Sequence, residues 1–265
     1  MAAETQYTAN TGMVSISTAN ANLDGTGTLG TVLTAGALNG CQVASVTVKA
    51  AGTVTEGMVR LFIYDGTNTR LIQEIAVAAT TFSGTNPANP TFEYTWNCNI
   101  LLEAGYILKA STVNAESFNV IAQGLDWTYY ATSVRPESTN YTANTGTGLM
   151  TTGTSSLTGS GTVNILTAGS ATSFNGCYID NVIFKWQVSS NIGMVRVFIS
   201  NGTTKFLITE FVVPTQTSSG TQPTFSQTIN LGNFQLQAGY SLYASAQNSE
   251  NICAVVDARD WKYPS

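Results

Sequence analysis

The sequence contains no histidine, and that gap removes a large share of enzymology. A Ser-His-Asp or Cys-His arrangement needs an imidazole to move the proton. Zinc sites built on Cys and His lose a ligand class. The four cysteines, Cys41, Cys98, Cys177 and Cys253, show no CxxC spacing to replace it. No GxSxG elbow and no phosphate-binding P-loop is present. A glycosidase-style carboxylate pair is the one enzymatic arrangement left open, because any two of the 15 acids meet only in space. Charge is also scarce, at 9% of residues, against roughly 25% in a typical soluble domain. The ten Lys and Arg are scattered and the net charge is −5, so no basic cluster awaits the phosphates of a nucleic acid. No apolar run approaches the ~20 residues of a membrane-spanning helix. The opening MAAETQYTAN has neither a basic nor an apolar signal region, so no secretory signal is expected there. The chain is read as a non-enzyme with no catalytic residue, no metal and no cofactor. Its cysteines are expected to be four buried free thiols, as in a protein folded in a reducing cytoplasm.

What the chain does contain is itself, twice. YTANTG at 7–12 returns unchanged at 141–146. GMVRLFI at 57–63 returns as GMVRVFI at 193–199, and EAGYILKAS at 103–111 as QAGYSLYAS at 237–245. TAG, NGC, NAE/NSE and LDW/RDW recur in the same order. The offset drifts between 133 and 136 residues. Strands cannot slip without turning their faces over, whereas loops change length cheaply. The drifts therefore locate loops and the constant blocks locate strands. A period this long is a whole domain rather than a solenoid unit.

Within each copy the apolar residues alternate with period two, as in Val59, Leu61 and Ile63, or Phe92, Tyr94 and Trp96. Gly, Asn, Thr and Pro clusters punctuate the runs. In the first copy strands are expected near 11–17, 29–34, 41–50, 57–64, 70–77, 91–97, 105–112 and 118–128. About eight strands per copy suits a jelly roll; an immunoglobulin-like sandwich is the nearest competitor. The fold class is all-β, with two tandem jelly-roll-like β-sandwiches arising from internal duplication. Residues 1–130 form the first, 131–140 the linker and 141–265 the second.

Each GMVR strand carries one arginine, and the hairpin after it supplies a carboxylate. Centring the first hairpin on Thr67 sets Arg60 opposite Glu74; centring the second on Thr203 sets Arg196 opposite Glu210. Such a cross-strand pair contributes roughly 0.2–1 kcal/mol and fixes register. Other charges also recur: Lys49 with Lys185, Glu116 with Glu250, and Asp126 with Asp260. Glu116 and Glu250 follow Asn in a turn, where a carboxylate takes loop backbone. Asp126 and Asp260 stand beside Trp127 and Trp261 near the last strand's end and are read as closing a loop. All six are loop or interface candidates. Glu116 with Asp126 would be a calcium guess without a supporting D-x-D-x-D-G pattern. Trp96, Tyr129, Tyr130, Trp186 and Trp261 serve either as core and interface residues or as sugar-stacking rings.

The run from GMVRLFIYDGTNTRLIQEIAV through LLEAGYILKASTVNAESFNVIAQGLDW resembles small proteins encoded among the structural genes of tailed bacteriophages. The resemblance covers about half of the first copy; the second departs at ENICAVVDARDW. These motifs are strand signatures, so no functional residue is carried over. The resemblance implies a virion component made in the host cytoplasm. It would be a capsid decoration or cement protein, or a minor capsid protein, acting through self-assembly and shell contacts. Its partners would be itself and other virion proteins such as the major capsid protein, with no nucleic acid and no membrane. The alternative is a carbohydrate-binding module of a tail fibre or baseplate, glycan binding resting on exposed aromatics alone. The chain has few Lys, Arg and Pro with which to blunt sheet edges. Its edges are therefore expected to be covered, with the arm 1–10 and the linker exchanged between subunits. A trimer would set six similar sandwiches in a ring.

Overall fold

The computed structural model describes residues 4–83, 88–130, 140–218 and 223–263. The first copy forms β1 (Glu4–Ile16), β2 (Gly30–Thr34), β3 (Cys41–Ala50), β4 (Gly57–Tyr64), β5 (Thr69–Val77), β6 (Glu93–Trp96), β7 (Ile100–Leu102), β8 (Ile107–Thr112) and β9 (Phe118–Tyr130). The second forms β10 (Asn140–Ala143), β11 (Gly146–Met150), β12 (Val163–Thr167), β13 (Gly176–Trp186), β14 (Gly193–Ser200), β15 (Lys205–Val213), β16 (Ser226–Leu236), β17 (Ser241–Ala246) and β18 (Ile252–Lys262). The named strands pair antiparallel, and no helix occurs among the described residues.

The first copy stacks a sheet in the order β1-β9-β3-β6, with β7 extending the β6 edge, against a sheet in the order β2-β8-β4-β5. The second repeats this as β10/β11-β18-β13-β16 against β12-β17-β14-β15. The first strand of each copy pairs with the last, and apart from the neighbours β4–β5, β6–β7, β10–β11 and β14–β15 successive strands cross between sheets, which makes each copy a jelly roll rather than an immunoglobulin-like sandwich.

Each core lies between its two sheets. In β3, Cys41 and Val43 point inward, a bulge between Val43 and Ser45 shifts the phase, and Val46 and Val48 point inward after it. They meet Val59 and Leu61 of β4, Leu108 of β8 and Val120 of β9. β13 repeats the device, with Ile179, then a bulge, then Val182, Phe184 and Trp186. Each such side chain contributes about 1.5–3 kcal/mol on burial. The bulges leave Ser45, Thr47 and Lys49, and in the second copy Ile183 and Lys185, on the outer sheet face. The glycine of YTANTG has a steric reason. A Cβ on Gly12 would stand 2.3 Å from the Val32 carbonyl oxygen, and one on Gly146 would stand 2.0 Å from that of Ile165.

Three details differ from expectation. The arm expected to exchange between subunits is part of its own sandwich: from Glu4 onward it lies in β1, paired from Glu4↔Tyr130 to Asn10↔Gly124. Residues 1–3 lie outside the described residues, as do 131–139 of the expected linker, and Asn140 already opens β10. The strand expected at 91–97 is the shorter β6, and an unexpected strand, β7, follows it, with Asn99 at a positive φ of 47° between them.

Candidate functional site

The repeated motifs converge in space within each sandwich. Asp126 accepts Asn10 Nδ2 at 3.0 Å and the Gly36 amide at 3.0 Å. Asp260 accepts Asn144 Nδ2 at 3.0 Å and the Gly169 amide at 3.1 Å. YTANTG, TAG and the Asp-Trp pair are thus three parts of one lock. Glu116 accepts the Thr55 amide at 2.8 Å and its hydroxyl at 2.6 Å. Glu250 accepts the Asn191 amide at 2.8 Å and Trp186 Nε1 at 2.6 Å. Glu116 precedes β9 and Asp126 lies near its far end, so the structure does not bring them together as a calcium pair. Trp261 is buried and stacked on Tyr178 at 4.2 Å. Trp186 is buried against Phe225, Trp127 and Trp96 are partly covered, and the side chains of Tyr129 and Tyr130 are outside the described set. Trp186 and Trp261 are therefore core residues, not sugar platforms.

The Arg/Glu pairs occupy equal ladder positions and opposite environments. Arg60 lies opposite Glu74 and Arg196 opposite Glu210. The register arises differently from the simple hairpin. Tyr64 faces Thr69 and Ser200 faces Lys205, and an extra residue in the return strand, Ile72 or Ile208, restores the phase. Arg60 Nε meets Glu74 Oε1 at 2.8 Å, with the Glu74 side chain 42% exposed. Arg196 Nε lies 3.2 Å from Glu210 Oε2, and both side chains are fully buried.

That burial comes from the other sandwich. Lys49 Nζ lies 3.2 Å from Glu210 Oε1 and 3.2 Å from Glu93 Oε2. The Thr91 amide and hydroxyl each donate to Glu210 Oε1 at 2.7 Å. The Arg196 guanidinium sits 5.3 Å from the centre of the Phe82 ring and donates to the Thr154 carbonyl at 3.2 Å. Burial alone would raise the Glu210 carboxyl; Lys49, the two Thr91 hydrogen bonds and Arg196 outweigh it and hold the group below its ordinary value. Burial pulls Arg196 down, partly offset by Glu210. Arg196 Nη2 makes no hydrogen bond within this cluster.

The seam extends beyond the charges. Ile121 on the outer face of β9 is buried with the second sandwich's core, and Met13 packs against it. Thr11 Oγ1 donates to the Gln235 carbonyl at 2.9 Å and accepts the Gln237 amide at 3.0 Å. Asn119 Nδ2 reaches the Leu207 carbonyl at 3.4 Å, and the Ala9 amide reaches the Asn175 carbonyl at 3.0 Å. The outer face of the β1-β9-β3-β6 sheet thus receives the β15 and β16 edges of the second sandwich. A cleft of about 570 Å³ remains along it, edged by amides such as Gln123, Asn230, Asn233 and Gln235.

The sequence located both Arg/Glu pairs; it did not indicate Lys49, Thr91, Thr11 or Ile121 as seam residues. The repeat of Lys49 as Lys185 was the available signal. Burial raises the thiols of Cys41 and Cys177, with Asp126 and Asp260 adding to it. The four cysteines are free, but only Cys41 and Cys177 are buried; Cys98 and Cys253, expected to be buried too, are partly exposed. No cluster of metal-ligating side chains occurs among the described residues.

No protein-family model matches the chain, and no curated protein matches it. Solved structures similar to it include the STIV MCP, at 10% identity over 96% of this chain and 97% of that one, TM-score 0.27. PNGase F, a glycosylasparaginase from Flavobacterium meningosepticum, matches at 10% identity over 96% of each chain, TM-score 0.25. The Macrobrachium rosenbergii nodavirus structure matches at 8% identity over 97% of this chain and 96% of that one, TM-score 0.17. With scores this low, neither the viral nor the enzymatic neighbours decide what this chain does.

Proposed function

We propose that the chain is a structural component of a bacteriophage virion, a capsid decoration or cement protein or a minor capsid protein, that works by burying surface against itself and the shell. The observation that carries this reading is the seam: two copies of one fold are joined face to edge through a buried ion cluster and apolar contacts. A histidine-free, charge-poor sequence supports it, and so does the resemblance to tailed-phage structural proteins. On this reading residues 1–130 and 141–265 are two building blocks joined by 131–140, and three chains set six sandwiches in a ring around the local symmetry of a shell. The carbohydrate-module alternative loses Trp186 and Trp261, which are buried.

Quantitative mass spectrometry of purified particles tests the reading. The chain should be found in fixed ratio to the major shell protein. Its absence from particles, together with selective retention on a glycan array, would replace this reading with the carbohydrate-binding one.

A further inference from the structure

The seam joins a face of the first sandwich to an edge of the second, and the duplicate edge residue Glu74 and the duplicate face residue Lys185 are both exposed. In the seam, Glu210 is received by Lys49 and Thr91. Its counterpart Glu74 points from the β5 edge, held by Arg60 and uncovered. The counterparts of the receptor, Lys185 and Thr224, lie on the uncovered face of the second sandwich. Lys185 Nζ already donates to the Thr224 carbonyl at 2.9 Å, as Lys49 does to Thr91 at 3.3 Å. Lys49 has Glu93 as a second carboxylate; at the matching position the second sandwich has Ser226, so Lys185 lacks that partner.

A second contact is matched in the same direction. Thr11, buried in the seam against Gln235 and Gln237, corresponds to Thr145, which is exposed. Gln235 and Gln237 correspond to Leu101 and Glu103, also exposed, with Leu101 at 66%. The open receiving face is more apolar than the covered one. Ile183 at 39% and Leu149 at 48% exposure stand where the first sandwich has Thr47 and Ser15. Apolar side chains grouped on an open face around one unneutralised lysine mark a contact surface.

We infer that the outer face of the β11-β18-β13-β16 sheet docks the β5–β7 edge of a second copy of this chain, with Glu74 of that copy received by Lys185 and Thr224. The occupant is a second copy because the chain itself carries an edge with a carboxylate, an arginine behind it and an exposed strand, in the arrangement that fills the equivalent face within the molecule. The contact is head-to-tail, so each chain offers one edge and one face, and a closed ring follows if the step matches its symmetry. The inference deepens the self-assembly part of the proposed function, and its test requires no virion.

The full-length Thr145→Cys/Leu101→Cys variant should form inter-chain disulfides under mild oxidation, seen as covalent oligomers on a non-reducing gel. Lys185→Glu and Glu74→Lys should each weaken self-association by ~100-fold or more in sedimentation equilibrium. An equimolar mixture of the two should recover association, because each then offers the charge the other lacks. Both substitutions are at exposed or edge positions, and unchanged melting of the monomer verifies folding. Self-association indifferent to both charges, or oligomers that do not cross-link through residues 101 and 145, would overturn the inference. A chain incorporated in virions in a Lys185-dependent way, yet monomeric alone, would assign the face to another virion protein. That result would overturn the docking while leaving the virion role intact.

Discussion

Glu210 and Glu74 stand at the same rung of the same hairpin, each opposite an arginine, yet one carboxylate is sealed between two sandwiches and the other faces outward. Corresponding residues of a repeated hairpin have been placed in two dielectric environments, so equal substitutions should have unequal effects.

Glu210→Gln should destabilise the fold by about 3–5 kcal/mol, because it leaves Arg196 and Lys49 with buried charge and less compensation. Glu74→Gln should cost no more than about 1 kcal/mol in the monomer. Urea unfolding followed by tryptophan fluorescence measures both. Equal losses would show that the seam charges do not act as a buried network.

The same carboxylate gives the fold an acid limit. Glu210 is held below its ordinary value of 4.5 in the folded state. As the pH falls through that range, the unfolded chain takes up the proton first, so the stability that Glu210 contributes is present above it and is lost as pH falls toward the folded value. Denaturation midpoints measured down this range should fall less steeply in Glu210→Gln than in the parent protein.

Much of this architecture is legible from the residues, and the reason is local. Alternation in GMVRLFI and the Gly/Asn punctuation set strand positions, and the repeat offsets set the loops. The Arg60–Glu74 and Arg196–Glu210 oppositions follow from the hairpins, although the extra residues Ile72 and Ile208 were needed to produce them. The seam was not legible. A sequence that repeats gives each copy nearly the same surfaces and does not say which face of one meets which edge of the other. Lys49 and Glu210 are brought together only by that choice. Burial of Trp186 was one of the two readings its type allowed; what decides it is Glu250, 64 residues further along the chain, in the turn before the strand paired with Trp186, which accepts the indole N–H.

The Asp locks should behave as two independent units. Asp126→Ala and Asp260→Ala should each cost about 1–3 kcal/mol by orphaning a glycine amide and an asparagine side chain. The two effects should add, because the locks share no partner. Chemical denaturation of both single variants and the double variant measures this; strong non-additivity would mean that the locks communicate.

Gly146→Ala should be among the most damaging single-methyl changes, at about 1–3 kcal/mol, since its Cβ would overlap the Ile165 carbonyl. Gly52→Ala, where nothing lies within 4 Å, should be neutral or slightly stabilising and serves as the control. Thermal melts of the two variants compare them directly.

The thiols report opening of the cores. Cys41 and Cys177 are fully buried and their thiols are held protonated, so in native protein they should alkylate only as fast as their sandwiches open. Unreduced protein in denaturant should take up four alkyl groups. Fewer would reveal a disulfide.

The seam joins parts of one polypeptide, and that sets how it responds to dilution. A covalent tether keeps the second sandwich at an effective concentration on the order of millimolar beside the first. A face-to-edge contact too weak to hold separate molecules would therefore stay closed at any protein concentration. Contacts between chains have no such tether and form only as the protein accumulates. Duplication followed by fusion has made one joint permanent and left every other joint to answer to abundance.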